Sequence, residues 1–309
     1  MNYEDFIYEV CGRLKDRLGE DYIVYPEEVI KSNDTIMKGV MITNNKVSTR
    51  TVPIIYLDEY YKKYKYTNDI DGCVESIIKM YKEATHKNMD EMIIDVFDWN
   101  KVSSRIYPII MSKKMNSKLL KNLVYTTYLD FAVCYTIRLN ELAQDTDEAI
   151  VSIRVKDDML ERWDINIEEL HNKALENMKY DGYNIKSMAT VIKELMFNCD
   201  GNCDCTIEEI ENVESEMYVL TNRSKIRGAT GILNQELLEQ FAEQFNSNYY
   251  ILPSSVHEVI LLLEGEDMNV CELNEMVRQI NEDQVPREDV LEDHVYYYDR
   301  EKRRIELCE

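Results

Sequence analysis

The chain has 309 residues, 45% hydrophobic and 31% charged, which is a globular composition rather than a disordered one. Lys and Arg total 36 against 59 Asp and Glu, a formal net charge of −23. That excess is repelled by nucleic-acid backbones and anionic lipid, so it argues against direct nucleic-acid binding, and no run approaches the roughly 18 apolar residues of a membrane span.

The first five residues are acidic and carry no apolar core of a signal peptide, so the 8 cysteines are expected as reduced thiols in a cytoplasm. With only 9 glycines and neither a P-loop nor a G-x-G-x-x-G, the sequence offers no phosphate-cradling loop.

Residues 2–18 read as a helix, with Phe6, Ile7, Val10, Cys11, Leu14 and Leu18 on one stripe, Asn2 as its N-cap and Gly19 at its end. Residues 22–25 and 36–43 read as strands, and 52–57 as an extended segment entering a helix that Asp58 would cap. Tyr60, Tyr61, Tyr64 and Tyr66 then interleave with Lys62, Lys63 and Lys65. Such a mixture can bind single-stranded nucleic acid by stacking and charge. At helical spacing it fits better as core rings with a solvated lysine face. Residues 71–84 form a second helix, 89–97 fit either a helix or a buried strand, and 99–104 a helical turn. Residues 106–111 are a strand in which Pro108 marks a sheet edge or a bulge.

Lys113, Lys114, Lys118 and Lys121 are the densest basic cluster, read as a charged helix surface although able to dock phosphate. Residues 124–139 read as strand. The polar stretch 144–148 is the best hinge, dividing the chain into subdomains 1–143 and 149–309, with one continuous domain as the alternative. Residues 149–155 alternate as a strand does, and 157–163, 166–178 and 186–197 read as helices. His171 lies beside the apolar stripe of the second of these, where an ordinary structural role is expected.

Two metal readings compete in the next segment. Asp200, Asn202, Asp204, Thr206, Glu208 and Glu211 fall at the ligand positions of an EF-hand-like calcium loop, with Ile207 at its apolar position. Cys205, however, stands where the sharp turn needs glycine. Cys199, Cys203 and Cys205 could hold a soft ion, but their spacing matches no standard zinc or iron–sulfur pattern. A solvated acidic loop is the favoured reading, so no cofactor is expected, with calcium as the one candidate.

Residues 217–263 carry the densest signals. Strands are expected at 217–221 and 229–233, then a helix capped by Asn234 that buries Leu237, Leu238, Phe241, Ala242 and Phe245, then a strand at 249–252 closed by Pro253. Ser254, Ser255, His257 and Glu258 follow, a serine, histidine and carboxylate combination that suits a hydrolase-like nucleophile and base. Such triads are made by geometry and drawn from distant parts of a chain, and no G-x-S-x-G elbow is present. Ser255 and Glu258 also fit a capping box, or a tight bend before a strand at 259–263. The structural reading is preferred. A helix at 269–282 and a hairpin of 291–298 with 303–307 complete the chain, the basic tip Arg300, Lys302, Arg303 and Arg304 suiting an edge strand protected from pairing with other chains.

The segments MYVLTN, GATGIL, YYILPSSVHEVILL, LNEMVRQIN and HVYYYD, with PIIYLDEYYKKY nearer the N-terminus, resemble an uncharacterised domain-of-unknown-function family of anaerobic gut bacteria. The likeness covers nearly the whole chain. It implies a bacterial accessory protein of the kind associated with mobile elements, and it carries over no activity and no catalytic residue.

The expected fold is α+β, with largely antiparallel sheets and helices packed on one face. The expected function is a cytoplasmic, non-enzymatic binding or accessory protein with a protein partner. The alternatives are a hydrolase-like enzyme using Ser254 or Ser255 with His257, and an acidic nucleic-acid mimic that occupies a DNA- or RNA-binding protein.

Overall fold

Asn2 starts the first helix as expected: its side-chain oxygen accepts from the Asp5 backbone N–H at 2.9 Å. Helix α1 (Tyr3–Leu18) runs until Gly19, whose φ of +85° turns the chain away. The computed structural model describes residues 1–46, 54–86, 95–139, 152–198, 216–266 and 268–308. They belong to two units, Met1–Ile94 and Asp95–Glu309.

In the first unit, β1 (Tyr22–Ile30) pairs along its whole length with β2 (Ile36–Asn44), which also pairs with β3 (Ile54–Tyr56), all antiparallel. The strands outrun the expected 22–25 and 36–43 because Asn33 and Asp34 take left-handed backbone angles and close the connection tightly. Helices α2 (Asp58–Thr67) and α3 (Ile70–His86) follow. Asp58 is the first helical residue and not the cap; Leu57 holds the cap position without a side-chain bond. Phe6, Val10 and Leu14 of α1 pack with Val24, Ile42 and Ile77 in the core. The tyrosines of α2 serve that core: Tyr61 stacks on Tyr3 at 4.7 Å and Tyr64 lies 5.2 Å from Phe6. Tyr66 remains 92% exposed.

The second unit is built on two antiparallel sheets. After α4 (Trp99–Val102), strands β4 (Ile106–Ser112), β5 (Tyr125–Tyr128), β6 (Phe131–Arg138) and β7 (Ser152–Arg154) form the first. Strand β6 is its centre, with β4 along one side and β5 and β7 in succession along the other. Pro108 therefore sits on an edge strand, where its missing N–H costs least. Residues 124–139 are a hairpin and not one strand, because Leu129 turns the chain at φ +54°. The lysine cluster lies in turns and a 3₁₀ helix (Leu119–Asn122) whose leucines are buried, not on an α-helix.

Helices α5 (Asp157–Trp163) and α6 (Ile167–Met178) come next, the latter closed by a capping box between Asn166 and Glu169. The second sheet has the order β13-β12-β10-β11-β9-β8. Its members are β8 (Asn184–Ser187), β9 (Met217–Thr221), β10 (Tyr249–Leu252), β11 (Val259–Leu263), β12 (Tyr296–Asp299) and β13 (Arg304–Leu307). Helices α7 (Met188–Asn198), α8 (Gln235–Phe245) and α9 (Val270–Asp283) lie between them in sequence. Residues 229–233, expected as a strand, belong instead to a 3₁₀ helix (Gly228–Leu233). The α+β class with antiparallel sheets is the fold of this chain. The hinge expected at 144–148 lies outside the described residues. No helix among the described residues is long and apolar enough to cross a membrane.

Candidate functional site

Pro253 ends β10, and residues 253–258 form a bend held from two sides. On one, the Leu291 and Glu292 backbone N–H groups donate to the Ser254 and Pro253 carbonyls at 3.3 and 3.1 Å, and Val256 N–H donates to the Asp289 carbonyl at 2.8 Å. On the other, Ala229 N–H donates to the Val256 carbonyl at 3.2 Å, and the Thr221 hydroxyl to the His257 carbonyl at 2.9 Å. No helix follows Ser255. Its hydroxyl accepts from the His257 backbone N–H at 3.0 Å, the local bond that shapes a serine turn.

The His257 ring is fixed by two other groups. Its Nδ1 accepts from the Arg227 backbone N–H at 3.3 Å. An accepting nitrogen is unprotonated, so the neutral ring carries its proton on Nε2, which lies 3.3 Å from the Asp289 carboxylate. The bend thus brings Ser255 and His257 together, yet the hydroxyl bonds backbone and the imidazole bonds Arg227 and Asp289. Ser254 contributes its carbonyl to the Leu291 contact. Burial pushes the Glu258 carboxyl above its ordinary range, against the opposing pull of His257.

Arg227 reaches this bend through a tight loop. The buried Asn222 side chain donates to the Ile226 carbonyl at 2.8 Å and accepts from the Ile226 N–H at 3.2 Å. Arg227 then takes a left-handed φ of +53°. At Gly228 a Cβ would lie 2.3 Å from the Thr221 hydroxyl and 2.5 Å from the His257 carbonyl, so no side chain fits. The Arg227 side chain is half-buried, and no hydrogen bond or ion pair holds its guanidinium among the described residues. Burial first, then the neighbouring Arg154, push its pKa down, with Asp289 acting the other way from a distance. A guanidinium stays protonated at any physiological pH. Both effects therefore oppose the charge held there.

Sequence reasoning found His257 and missed Arg227 and Asp289. One arginine between two strand-like runs and one aspartate in an acidic segment carry no local signal.

The expected calcium ligands Asp200, Asn202, Asp204, Thr206, Glu208 and Glu211, and the three cysteines among them, lie outside the described residues. Among the described residues a different group, Asp130, Glu292 and His294, brings three ligand-type atoms within 4.8 Å of one another. His294 Nε2 lies 3.0 Å from one Asp130 oxygen, and the Tyr296 hydroxyl donates to the other at 2.5 Å. His294 Nδ1 lies 3.9 Å from the buried Glu292 carboxylate. The ring meets the two carboxylates through opposite nitrogens, which is the geometry of a protonated bridge. A single ion would have to displace it.

A model described as a family of unknown function, DUF5688, matches residues 3–300, bearing out the likeness to a domain of unknown function over nearly the whole chain. No curated protein and no solved structure matches.

Proposed function

Since the chain belongs to the DUF5688 family, which brings no known activity with it, we propose that the protein is a non-enzymatic binding protein whose bend around His257 receives an oxyanion of its ligand, a carboxylate or phosphate group. The supporting observation is the unpaired guanidinium of Arg227. In a chain with 59 acidic residues, a half-buried arginine beside a second arginine would be expected to hold a carboxylate of the protein itself. It holds none among the described residues. An incoming oxyanion would accept two parallel N–H bonds from such a fork and offset the charge. The Ser255 hydroxyl, engaged with backbone, favours binding over nucleophilic chemistry.

The test is calorimetric titration with sodium phosphate and sodium acetate at matched ionic strength, on the full chain and on Arg227→Gln. Saturable binding of either anion that is lost in the variant is the expected result. Absence of binding in the unsubstituted protein, or equal binding in both, would overturn the reading.

A further inference from the structure

The second unit contains a cleft of about 290 Å³ that lies apart in sequence from the His257 bend. Leu175 of α6, Leu233, Leu238 of α8 and Ile305 of β13 supply its apolar walls, and His171 and Tyr298 also line it. The Tyr298 side chain is 1% exposed, and its hydroxyl is buried with no hydrogen-bond partner. A buried hydroxyl left unsatisfied is destabilising, so native chains rarely keep one without a reason.

His171, half-buried, presents a second donor. The Tyr135 hydroxyl lies 2.9 Å from its Nδ1, and the Thr126 hydroxyl lies 2.9 Å from that of Tyr135. Burial lowers the His171 pKa, keeping the ring neutral. With Thr126 donating to Tyr135 and Tyr135 to Nδ1, the ring proton resides on Nε2, which has no acceptor among the described residues.

The rest of the polar lining is also donor-rich. Arg303 and Arg304 line the cleft, the first paired with Glu239 at 2.7 Å and the second with Glu306 at 2.7 Å. Among the described residues no Asp or Glu lines it, in a chain with 59 of them. Apolar walls with converging donors and no acid describe a pocket for an apolar body with an anionic, acceptor-only head. The volume is near the lower end of the roughly 300–1,000 Å³ usual for small-molecule pockets, which favours a short tail.

We propose that this cleft is a second ligand site, taking a small monocarboxylate with an apolar tail, its head accepting from the Tyr298 hydroxyl and His171 Nε2. It stands on different residues from the His257 bend and does not depend on that reading.

The experiment titrates the full chain with sodium octanoate by calorimetry, with 1-octanol and sodium acetate as controls for head and tail. Octanoate is expected to fill one high-affinity site per chain, apart from any weaker carboxylate binding at the His257 bend, and to bind there more tightly than either control. Tyr298→Phe should weaken octanoate roughly tenfold, as loss of one hydrogen bond to a charged group predicts, without lowering the melting temperature, because the hydroxyl stabilises nothing in the unliganded protein. Leu175→Trp, which fills the cleft, should abolish this high-affinity binding, and Arg227→Gln should leave it unchanged. No saturable octanoate binding would overturn the proposal, as would undiminished binding in both Tyr298→Phe and Leu175→Trp. Loss of octanoate binding in Arg227→Gln with retention in Leu175→Trp would assign the carboxylate to the bend and overturn it equally.

Discussion

The Arg138 guanidinium holds Asp181 with both arms, Nη1 to Oδ1 at 2.5 Å and Nη2 to Oδ2 at 2.8 Å, while lying 3.5 Å from the centre of the Tyr107 ring. The two side chains are 12% and 5% exposed, so this is a buried pair and not a surface one. Removing one partner strands the other's charge. Asp181→Asn is expected to lower unfolding free energy by about 3–5 kcal/mol. Arg138→Lys keeps the charge but loses the fork and the flat face on Tyr107, so it should fall between Asp181→Asn and the unsubstituted protein. Urea titrations of both variants check the order.

The Asp130–His294 pair predicts a pH dependence. The hydrogen bond to Asp130 raises His294 above its ordinary 6.5, against burial. Its contribution to stability is therefore complete below that value and is lost as pH rises through the folded-state pKa. Burial would raise Asp130, but the bonds from His294 and Tyr296 outweigh it and hold the carboxyl below its ordinary 3.8. That contribution is present above 3.8 and is lost as pH falls through the lower folded-state value. His294→Asn should therefore be more destabilising, relative to the parent chain, at a pH of about 6 than at about 9. Paired urea titrations at the two pH values measure the difference, and a gap that does not shrink at alkaline pH would contradict the assignment.

Gly228→Ala is a packing test of the His257 bend. The new methyl would be placed 2.3 Å from Thr221 Oγ1, 2.5 Å from the His257 carbonyl and 2.7 Å from the Asn222 nitrogen. Two of those atoms are backbone and cannot rotate away. A loss of about 1–3 kcal/mol is expected, together with weaker anion binding, since the neighbouring Arg227 must move with the loop. Thermal unfolding and the phosphate titration report the two effects separately.

Thiol chemistry should divide by burial. Burial pushes Cys11 up to about 11 and Cys134 up to about 12, and raises Cys73. Cys271 is exposed. The thiolate is the reacting species. Iodoacetamide at neutral pH should alkylate Cys271 in the folded protein and leave those three unmodified until denaturant is added, as peptide mass mapping would reveal.

Much of this architecture could be read from local sequence. The caps at Asn2 and Asn234 and the apolar stripes of α1 and α8 depend on residues within a few positions of one another, and the structure contains them, whereas the stripes of α6 and α9 are met in part, with Ile167, Met276 and Ile280 exposed. The failures share a different origin. Residues 229–233 look like a strand, but Gly228 packed against Thr221 and His257, and the left-handed Arg227 before it, force a 3₁₀ path. The β5–β6 hairpin is turned by Leu129, a residue with no turn preference, so the sequence shows none of the Asn-Gly type of signal. At the bend, His257 was visible beside two serines. Asp289 joins it only because Val256 and Ser255 pair with the 289–290 segment, a long-range register with no local trace. The same holds for His171, visible at the margin of a helix stripe, whose link to Tyr135 arises only when α6 meets β6.

Strand β6 ties several of these features to a common rail. Asp130 precedes it, Tyr135 lies within it and Arg138 ends it, so the His294 bridge, the His171 relay and the Asp181 clasp are spaced by one backbone. Side chains along a strand alternate between its faces, and a slip of one position exchanges them all. An insertion or deletion in the Leu129 turn would thus misplace three unrelated contacts in a single step. These contacts are separable by point substitution but inherited as a block, which makes the hairpin's length a shared constraint on all three.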